Sequence, residues 1–204
     1  MLDGYKRITN AIVKKVNDTV RPPRKTLEIF APKETREEFL NQVHFGLDRE
    51  LLLCSASEVS VRIQRDYFMT FKSGSLLMKL NLGDLDIHPI TNVTSEKKLN
   101  ELKHHEWHRT LYQKTNAQAV LLCHPKNIIK YMLGLNQVET SYQVHSFDFQ
   151  PKIRICAQDE TPDILLKNKY VMVQGQGIAA WGDGLGKIMA DLEYLNWICS
   201  LDLT

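Results

Sequence analysis

Apolar residues recur at helical spacing in two stretches near the beginning of the chain. In residues 1–20 an apolar stripe lies opposite lysines, and the paired prolines of RPPRK end the stretch. The stretch PKETREEFLNQVHFGLD begins with proline and acidic residues, and we predict a helix there that ends near Gly46. The pattern therefore predicts a helical extension at 1–32 and a main domain at 33–204. The apolar stripe of the extension consists of Ile8, Ile12, Val13 and Val16.

The middle of the chain alternates between strand-like and helix-like patterns. LLLCSASEVSVRI and DYFMTFKSGSLLMKLNLGDLDIHPI are rich in β-branched and aromatic residues, with KSGS as a turn, and predict a strand pair followed by a short crossing segment. The charged run TSEKKLNELKHHEWHRTLYQK predicts a long helix. AQAVLLCHP then predicts a buried strand, and KNIIKYMLGL a short helix.

The last third of the chain completes the same alternation. KIRICA and KYVMVQGQGIAAWG predict further strands, and GLGKIMADLEYLNWICSLDL predicts a closing amphipathic helix. The alternation lacks the strict strand–helix–strand rhythm of a parallel sheet. We therefore predict an α/β fold with a mostly antiparallel central sheet between helical layers.

Composition narrows the function classes. Of the 204 residues, 43% are hydrophobic, which is enough to form one buried core. The net charge of +2 is too small to indicate a surface that binds nucleic acid. We expect no membrane partner, because no apolar run is long enough to cross a bilayer and the first twenty residues lack a secretory core. The four cysteines are widely spaced and form no C-x-x-C pair, which favours a reduced, cytoplasmic protein.

Four segments, taken in order, resemble the motifs of the class II aldolase/adducin family. FLNQVHFGLDRELLLCSASEVSVRI is similar to its helix ending in Gly-Leu and the Gly-Asn-x-Ser-x-Arg strand that follows, and MTFKSG to its Thr-Pro-Ser-Gly turn. HRTLYQKTNAQAVLLCHP is similar to its His-x-x-x-Tyr helix and Ala-Val-x-His-x-His-Pro strand. VMVQGQGIAAWGDGLGKIMADLEYLNWI is similar to its Asn-His-Gly strand, glycine turn and Leu-Glu helix. The resemblance covers roughly residues 36–200.

This resemblance implies a fold, a reaction and an assembly. It implies a three-layer α/β domain with a central, mostly antiparallel sheet between helices, and a homo-oligomer, a homotetramer with sites between neighbouring subunits. Family enzymes hold zinc with three histidines, polarise a carbonyl or enediolate oxygen and cleave a sugar phosphate. Residues two apart on a strand share a face, so the His-x-His motif presents two imidazoles together.

The chain departs from the family at the positions that carry this chemistry. The three zinc histidines correspond to Leu122, His124 and Gln176. Leucine cannot coordinate a metal, and the neutral amide oxygen of glutamine is a poor ligand for zinc. At the phosphate end Glu58 would repel an anion, although the backbone of Ser73 and Gly74 could still bind one.

Two functions remain open on this basis. In the first, the chain is a degenerate member without zinc-dependent aldol cleavage, acting as a binding or structural oligomer for a small anionic or sugar-like ligand. Its cofactor is then unknown. Gln176 between two glycines either shapes the strand or contacts that ligand, and His124 is then a hydrogen-bonded residue at a strand end.

The second function is a divergent aldehyde-lyase that acts on a sugar phosphate with zinc or another divalent cation. His124 would bind the metal with one or more of His104, His108 and Gln176. The family's catalytic glutamate corresponds without a gap to His104, so His104 and Glu106 are the catalytic candidates, and Glu106 would be the base if the helix register shifts. The helix histidines would otherwise be solvated or structural.

Overall fold

The computed structural model describes residues 28–53, 56–72, 75–91, 106–133, 138–139, 152–157, 161–174 and 176–201. Its helices are α1 (Lys33–Asp48), α2 (Glu106–Lys114), α3 (Lys126–Leu133), α4 (Thr161–Leu165) and α5 (Leu185–Leu201). Its strands are β1 (Glu58–Gln64), β2 (Tyr67–Phe71), β3 (Leu85–Pro89), β4 (Ala119–Cys123), β5 (Val138–Glu139), β6 (Lys152–Cys156), β7 (Tyr170–Val173) and β8 (Gly177–Gly182). Two 3-10 turns, Leu77–Lys79 and Leu82–Asp84, connect β2 to β3.

The strands form one sheet in the order β3-β2-β1-β4-β8-β7-β6-β5. Among these, only the neighbours β6 and β7 run parallel. The other neighbouring strands are antiparallel. The predicted α/β fold with a mostly antiparallel sheet is therefore confirmed.

The side-chain alternation of β4 divides the core into two layers. Leu121 and Cys123 face one apolar cluster with residues of α1, α3 and α5. Val120 and Leu122 face the other, with residues of α2 and α4. Because all five residues of β4 are buried, both faces of the sheet are covered at its centre, as the three-layer arrangement requires.

Four details differ from or add to the predicted elements. The segment predicted to cross over contains a strand, β3, which pairs with β2. The short elements α4 and β5 were not predicted, since five and two residues are too few for a periodic pattern.

Gly46 does not end α1. It lies inside the helix, where an added Cβ would come within 2.9 Å of Leu52 and 3.0 Å of Met189, so a close packing contact explains the glycine.

The chain reaches the main core before α1 begins. Phe30 and Ala31 belong to the cluster that faces α1 and α5, and the carbonyl oxygen of Phe30 accepts a hydrogen bond from Gln64 Nε2 at 3.3 Å. Residues 1–27, which hold most of the predicted extension, lie outside the described part of the chain. Within the described part, no helix has both the length and the apolar character that a membrane span needs.

Candidate functional site

The position that the resemblance assigns to the first zinc histidine lies inside an apolar cluster. Leu122 is paired across the sheet with Glu58 on β1 and with Ala179 on β8. Its side chain is 9% exposed and packs with Val120 and Ala179 on the α2 side. At this position the chain therefore supplies a buried hydrocarbon side chain where a metal ligand would be needed.

His124 follows β4 and is held by the loop that precedes β1. Its backbone N–H donates to the carbonyl of Leu51 at 3.3 Å, and its ring Nδ1 lies 3.4 Å from Ser57 Oγ. Ser57 Oγ also accepts a hydrogen bond from the backbone N–H of Leu53 at 2.9 Å. Burial lowers the pKa of His124, and the nearby carboxylate of Glu58 raises it by a smaller amount. The half-buried ring is therefore neutral at pH 7.

Gln176 stands in the tight turn between β7 and β8, beside the end of β4. Its backbone N–H donates to the carbonyl of Val173 at 3.0 Å. The next residue, Gly177, has φ +151°, and a Cβ added there would lie 2.0 Å from the carbonyl oxygen of Cys123 and 3.2 Å from the Cα of His124. Glycine permits this close backbone approach because it has no Cβ. The approach brings the backbone of the turn against the strand end that carries His124.

His108 is fully buried in a hydrogen-bond network between α2 and β1. Glu58 Oε2 accepts from Trp107 Nε1 at 2.8 Å and lies 3.2 Å from His108 Nε2. The other ring nitrogen, Nδ1, lies 2.6 Å from Ser60 Oγ, which is 2.8 Å from the Tyr112 hydroxyl. A carboxylate can only accept, so the neutral His108 ring donates its Nε2–H to Glu58. The Ser60 hydroxyl then donates to His108 Nδ1, and the Tyr112 hydroxyl donates to Ser60 Oγ. Each group in the chain of contacts is then satisfied.

Arg62 on β1 also contacts α2, near the end of that helix. Its guanidinium donates to the carbonyls of Ala117 at 2.9 Å and Arg65 at 2.8 Å, and also to that of Tyr112. It also lies 5.1 Å from the centre of the Tyr112 ring. Ser60, Arg62, His108 and Tyr112 are the residues that match the Ser-x-Arg and His-x-x-x-Tyr motifs, and here they join β1 to α2.

Our reading of the sequence did not identify the role of Glu58 in this network. The spacing of the residues within two segments could have indicated this network. Glu58 and Ser60 are two apart on a strand and so share a face, while His108 and Tyr112 are four apart on a helix and also share a face. Docking one pair on the other produces the observed contacts.

The buried histidine predicts that the protein loses stability in mild acid. Burial lowers the pKa of His108 below its ordinary 6.5, and the hydrogen bond and charge of Glu58 oppose this only in part. At a pH between the lower pKa of His108 in the folded chain and its ordinary pKa in the unfolded chain, the unfolded chain binds more protons. The contribution of His108 to the free energy of unfolding is therefore fully present above about pH 6.5 and is lost as the pH falls below that value. We expect a lower urea midpoint at pH 5.5 than at pH 7.5, and a smaller difference in His108→Gln. An equal difference in both proteins would contradict this assignment.

Of the other predicted site residues, only Glu106 lies in the described part of the chain. Ser73, Gly74 and His104 lie outside the described residues, so their predicted roles stay predictions. Glu106 is exposed, with its Oε1 4.0 Å from Arg109 Nη2, and its role as a base also stays a prediction.

The described residues do not fit the family's three-histidine zinc site. They contain no group of three histidine, cysteine, aspartate or glutamate side chains placed to hold a metal ion. Leu122 is apolar and buried, and the Oε2 atom of Glu58 is bonded to Trp107 and His108. Of the three corresponding positions, His124 alone offers an imidazole.

A cleft of about 1000 Å³ opens beside His124. It lies between the end of α1, the loop before β1 and the start of α3, and its apolar wall includes Leu47, Leu52 and Ile129. Lys126 and Lys130 are exposed on α3, four residues apart and thus on one side of the helix. The cleft therefore combines apolar surface with groups of both charges. Its polar lining residues are His44, Asp48, Glu50, His124, Lys126 and Lys130.

Comparisons with known proteins agree with this geometry. The L-fuculose-1-phosphate aldolase from Thermus thermophilus superposes with a TM-score of 0.67 at 19% identity, covering 82% of this chain and 94% of that one. The sugar-phosphate aldolase from Thermotoga maritima gives a TM-score of 0.59 at 15% identity, covering 84% and 94%. The L-fuculose 1-phosphate aldolase from Glaciozyma antarctica PI12 gives 0.61 at 14% identity, covering 82% and 71%. At these identities the likeness shows the fold alone.

Sequence comparison identifies the family to which the chain belongs. A search of curated protein sequences found no match. The family model described as "Class II Aldolase and Adducin N-terminal domain" matches residues 44–203, which is most of the chain. The match includes β1, α2, β4 and β8, the elements that carry the motif residues. The chain is a member of the class II aldolase and adducin family.

Proposed function

We propose that this family member does not perform zinc-dependent aldol cleavage and instead binds a small anionic or sugar-like ligand as a homo-oligomer. The observation that carries the proposal is the burial of Leu122 in the apolar cluster at the first zinc position. A catalytic zinc normally needs three protein ligands and an open position for substrate. Rotating a buried leucine away cannot supply the missing imidazole.

The electrostatics beside β4 support the same proposal. The carboxylate of Glu58 lies in the neighbouring strand, opposite Leu122, where the family has the neutral Gly-Asn of its phosphate end. A carboxylate there disfavours a phosphate dianion through like-charge repulsion at short range. The hydrogen bonds from Trp107 and His108 hold it in place.

The cleft beside His124 supports a binding function. Lys126 and Lys130 offer two cations above an apolar wall, so an anionic group could face α3 while a less polar part of the ligand contacts Leu52 and Ile129. The half-buried ring of His124 adds a hydrogen-bonding edge to the wall. A negative charge on the ligand would be drawn to the lysine side and away from Asp48 and Glu50.

Exposed apolar side chains at this cleft favour an oligomer. Leu53 is 48% exposed and Met78 68% exposed, and both line the cleft. Apolar residues grouped on a surface in this way often become buried against another subunit. Light scattering of the purified protein measures the subunit number, and the family resemblance predicts a tetramer.

The decisive experiment measures zinc and cleavage together. Protein purified without chelator should contain far less than one zinc per chain and should cleave no member of a panel of ketose and aldose phosphates with added Zn, Mn or Co. The variant Leu122→His/Gln176→His serves as the positive control for zinc, because it restores the ligand set and should approach about one zinc per chain. If the wild type holds about one zinc per chain and cleaves a sugar phosphate, the aldehyde-lyase function replaces our proposal.

The binding half of the proposal is tested on the same protein with the same panel. Calorimetric titration should find a ligand whose affinity falls about tenfold or more in Lys126→Gln/Lys130→Gln, since two charge-assisted contacts are removed. The matched control, Lys114→Gln/Lys167→Gln, removes two exposed lysines elsewhere and should bind as the wild type does. Equal losses in both variants would point to general charge rather than to the cleft.

A further inference from the structure

A second groove, separate from the cleft beside His124, runs between α1 and α5. It has a volume of about 560 Å³ and includes Phe45 and Met189 as its large apolar residues. Phe45 is 41% exposed. The polar residues along it are Glu34, Glu37, Glu38, Asn41 and Gln42. We call this surface the α1/α5 groove.

The lining of the α1/α5 groove is acidic. Three glutamates and no basic residue line it. Lys33 lies beside it and pairs with Glu37 at 3.3 Å, but both side chains are about half exposed or more, and such a pair contributes little. Glu38 accepts a hydrogen bond from Gln42 at 3.2 Å, which keeps its carboxylate at the groove. A partner for this surface should therefore be basic with an apolar stripe.

The N-terminal segment of the same chain has this chemistry. Residues 1–27 contain seven basic and two acidic side chains, a net charge of +5, while the whole chain has only +2. Met189 is fully buried, so the apolar counterpart of the stripe at Ile8, Ile12, Val13 and Val16 is the partly exposed Phe45. Arg49, whose guanidinium lies 5.3 Å from the Phe45 ring centre, pairs with Glu193 at 3.2 Å. Lysines flank the stripe at Lys14 and Lys15. The cleft beside His124 fits the segment less well, because Lys126 and Lys130 would repel it.

The attachment point of the segment lies next to the groove. Phe30 and Ala31 are buried in the core, and α1 begins at Lys33, one residue before the first glutamate of the groove. From Glu34 to Phe45 the groove is roughly 17 Å long, and a helix of residues 1–20 would be about 30 Å long. Residues 21–27 can span up to about 24 Å, which is long enough for residues 1–20 to reach the groove beside α1. We propose that residues 1–20 dock as an amphipathic helix in the α1/α5 groove of their own chain.

Hydrogen exchange of the full chain tests the surface. At low ionic strength the amides of residues 5–18 should exchange slowly, and in Glu34→Gln/Glu37→Gln/Glu38→Gln they should exchange about tenfold faster. Raising NaCl to about 0.5 M should have a similar effect, because the contacts are exposed to screening. The control Asp66→Asn/Asp163→Asn/Asp183→Asn removes three exposed carboxylates elsewhere and should leave the protection unchanged. Fast exchange in the wild type, or equal effects of both triple variants, would overturn the proposal.

Carbodiimide cross-linking tests whether the contact lies within one chain. It should join Lys14 or Lys15 to the glutamates of the groove without a spacer. When ¹⁴N- and ¹⁵N-labelled chains are unfolded and refolded together, the linked peptides should carry a single isotope. Linked peptides of mixed isotope would assign the segment to the groove of a neighbouring subunit and overturn docking on the same chain.

Discussion

Gly177→Ala is expected to prevent the chain from folding stably. The residue has φ +151°, a backbone conformation that alanine adopts only with strain of roughly 1–3 kcal/mol. In addition, the new Cβ would lie 2.0 Å from the carbonyl oxygen of Cys123, and a backbone atom in the central strand cannot move aside cheaply. The two effects together exceed about 4 kcal/mol, a large part of the 5–15 kcal/mol that stabilises a typical domain.

Urea unfolding and the yield of folded protein measure this loss. Gly184→Ala is the matched control, because it lies seven residues later and an added Cβ there would meet nothing within 4 Å. We expect its free energy of unfolding to stay within about 1 kcal/mol of the wild type. If Gly177→Ala folds with wild-type stability, the close contact between the turn and β4 is not present in solution.

His108→Ala is expected to lower the free energy of unfolding by about 3 kcal/mol or more. The substitution empties a fully buried volume and removes the ring that bonds both Glu58 and Ser60. Ser60 keeps its contact with Tyr112, and the Glu58 carboxylate keeps the hydrogen bond from Trp107 but loses the one from His108. His108 would then be a structural residue of the joint between β1 and α2.

The comparison with His124→Ala separates this role from metal binding. His124 is partly exposed, and its ring makes a longer contact of 3.4 Å to Ser57, so we expect a cost below about 1 kcal/mol. Urea unfolding of both variants, with metal content measured on the same samples, distinguishes the two interpretations. Unchanged stability of His108→Ala together with a loss of bound metal would identify His108 as a ligand instead.

Local patterns were sufficient to predict most of the fold. The five apolar residues of β4 predict a strand buried on both faces, and strand alternation predicts that Cys123 and its neighbours point to opposite sides. The structure places Cys123 in one apolar cluster and Leu122 in the other, and burial raises the pKa of the Cys123 thiol. Periodicity could make these predictions because it reports which face of an element is buried.

The contacts of the candidate site depend on long-range docking and could not be read from one segment. Glu58 and His108 are 50 residues apart, and Arg62 reaches the carbonyl of Tyr112 across a similar separation. The resemblance identified His108 as a motif residue but left its role open between ligand and structural group. What decided its surroundings was the packing of α2 on β1, which brings polar side chains from two distant segments into one buried space.

The attachment of His124 has a consequence for the proposed binding function of the cleft. The residue is bonded through its backbone to Leu51 and lies in contact through its ring with Ser57, so wall and imidazole are braced at two points. The backbone hydrogen bond fixes the strand end against the loop that leads into β1, whereas the ring is held only by its 3.4 Å contact with Ser57. We therefore expect the proposed ligand to meet a strand end whose backbone is already ordered before binding, which reduces the entropy lost when the complex forms.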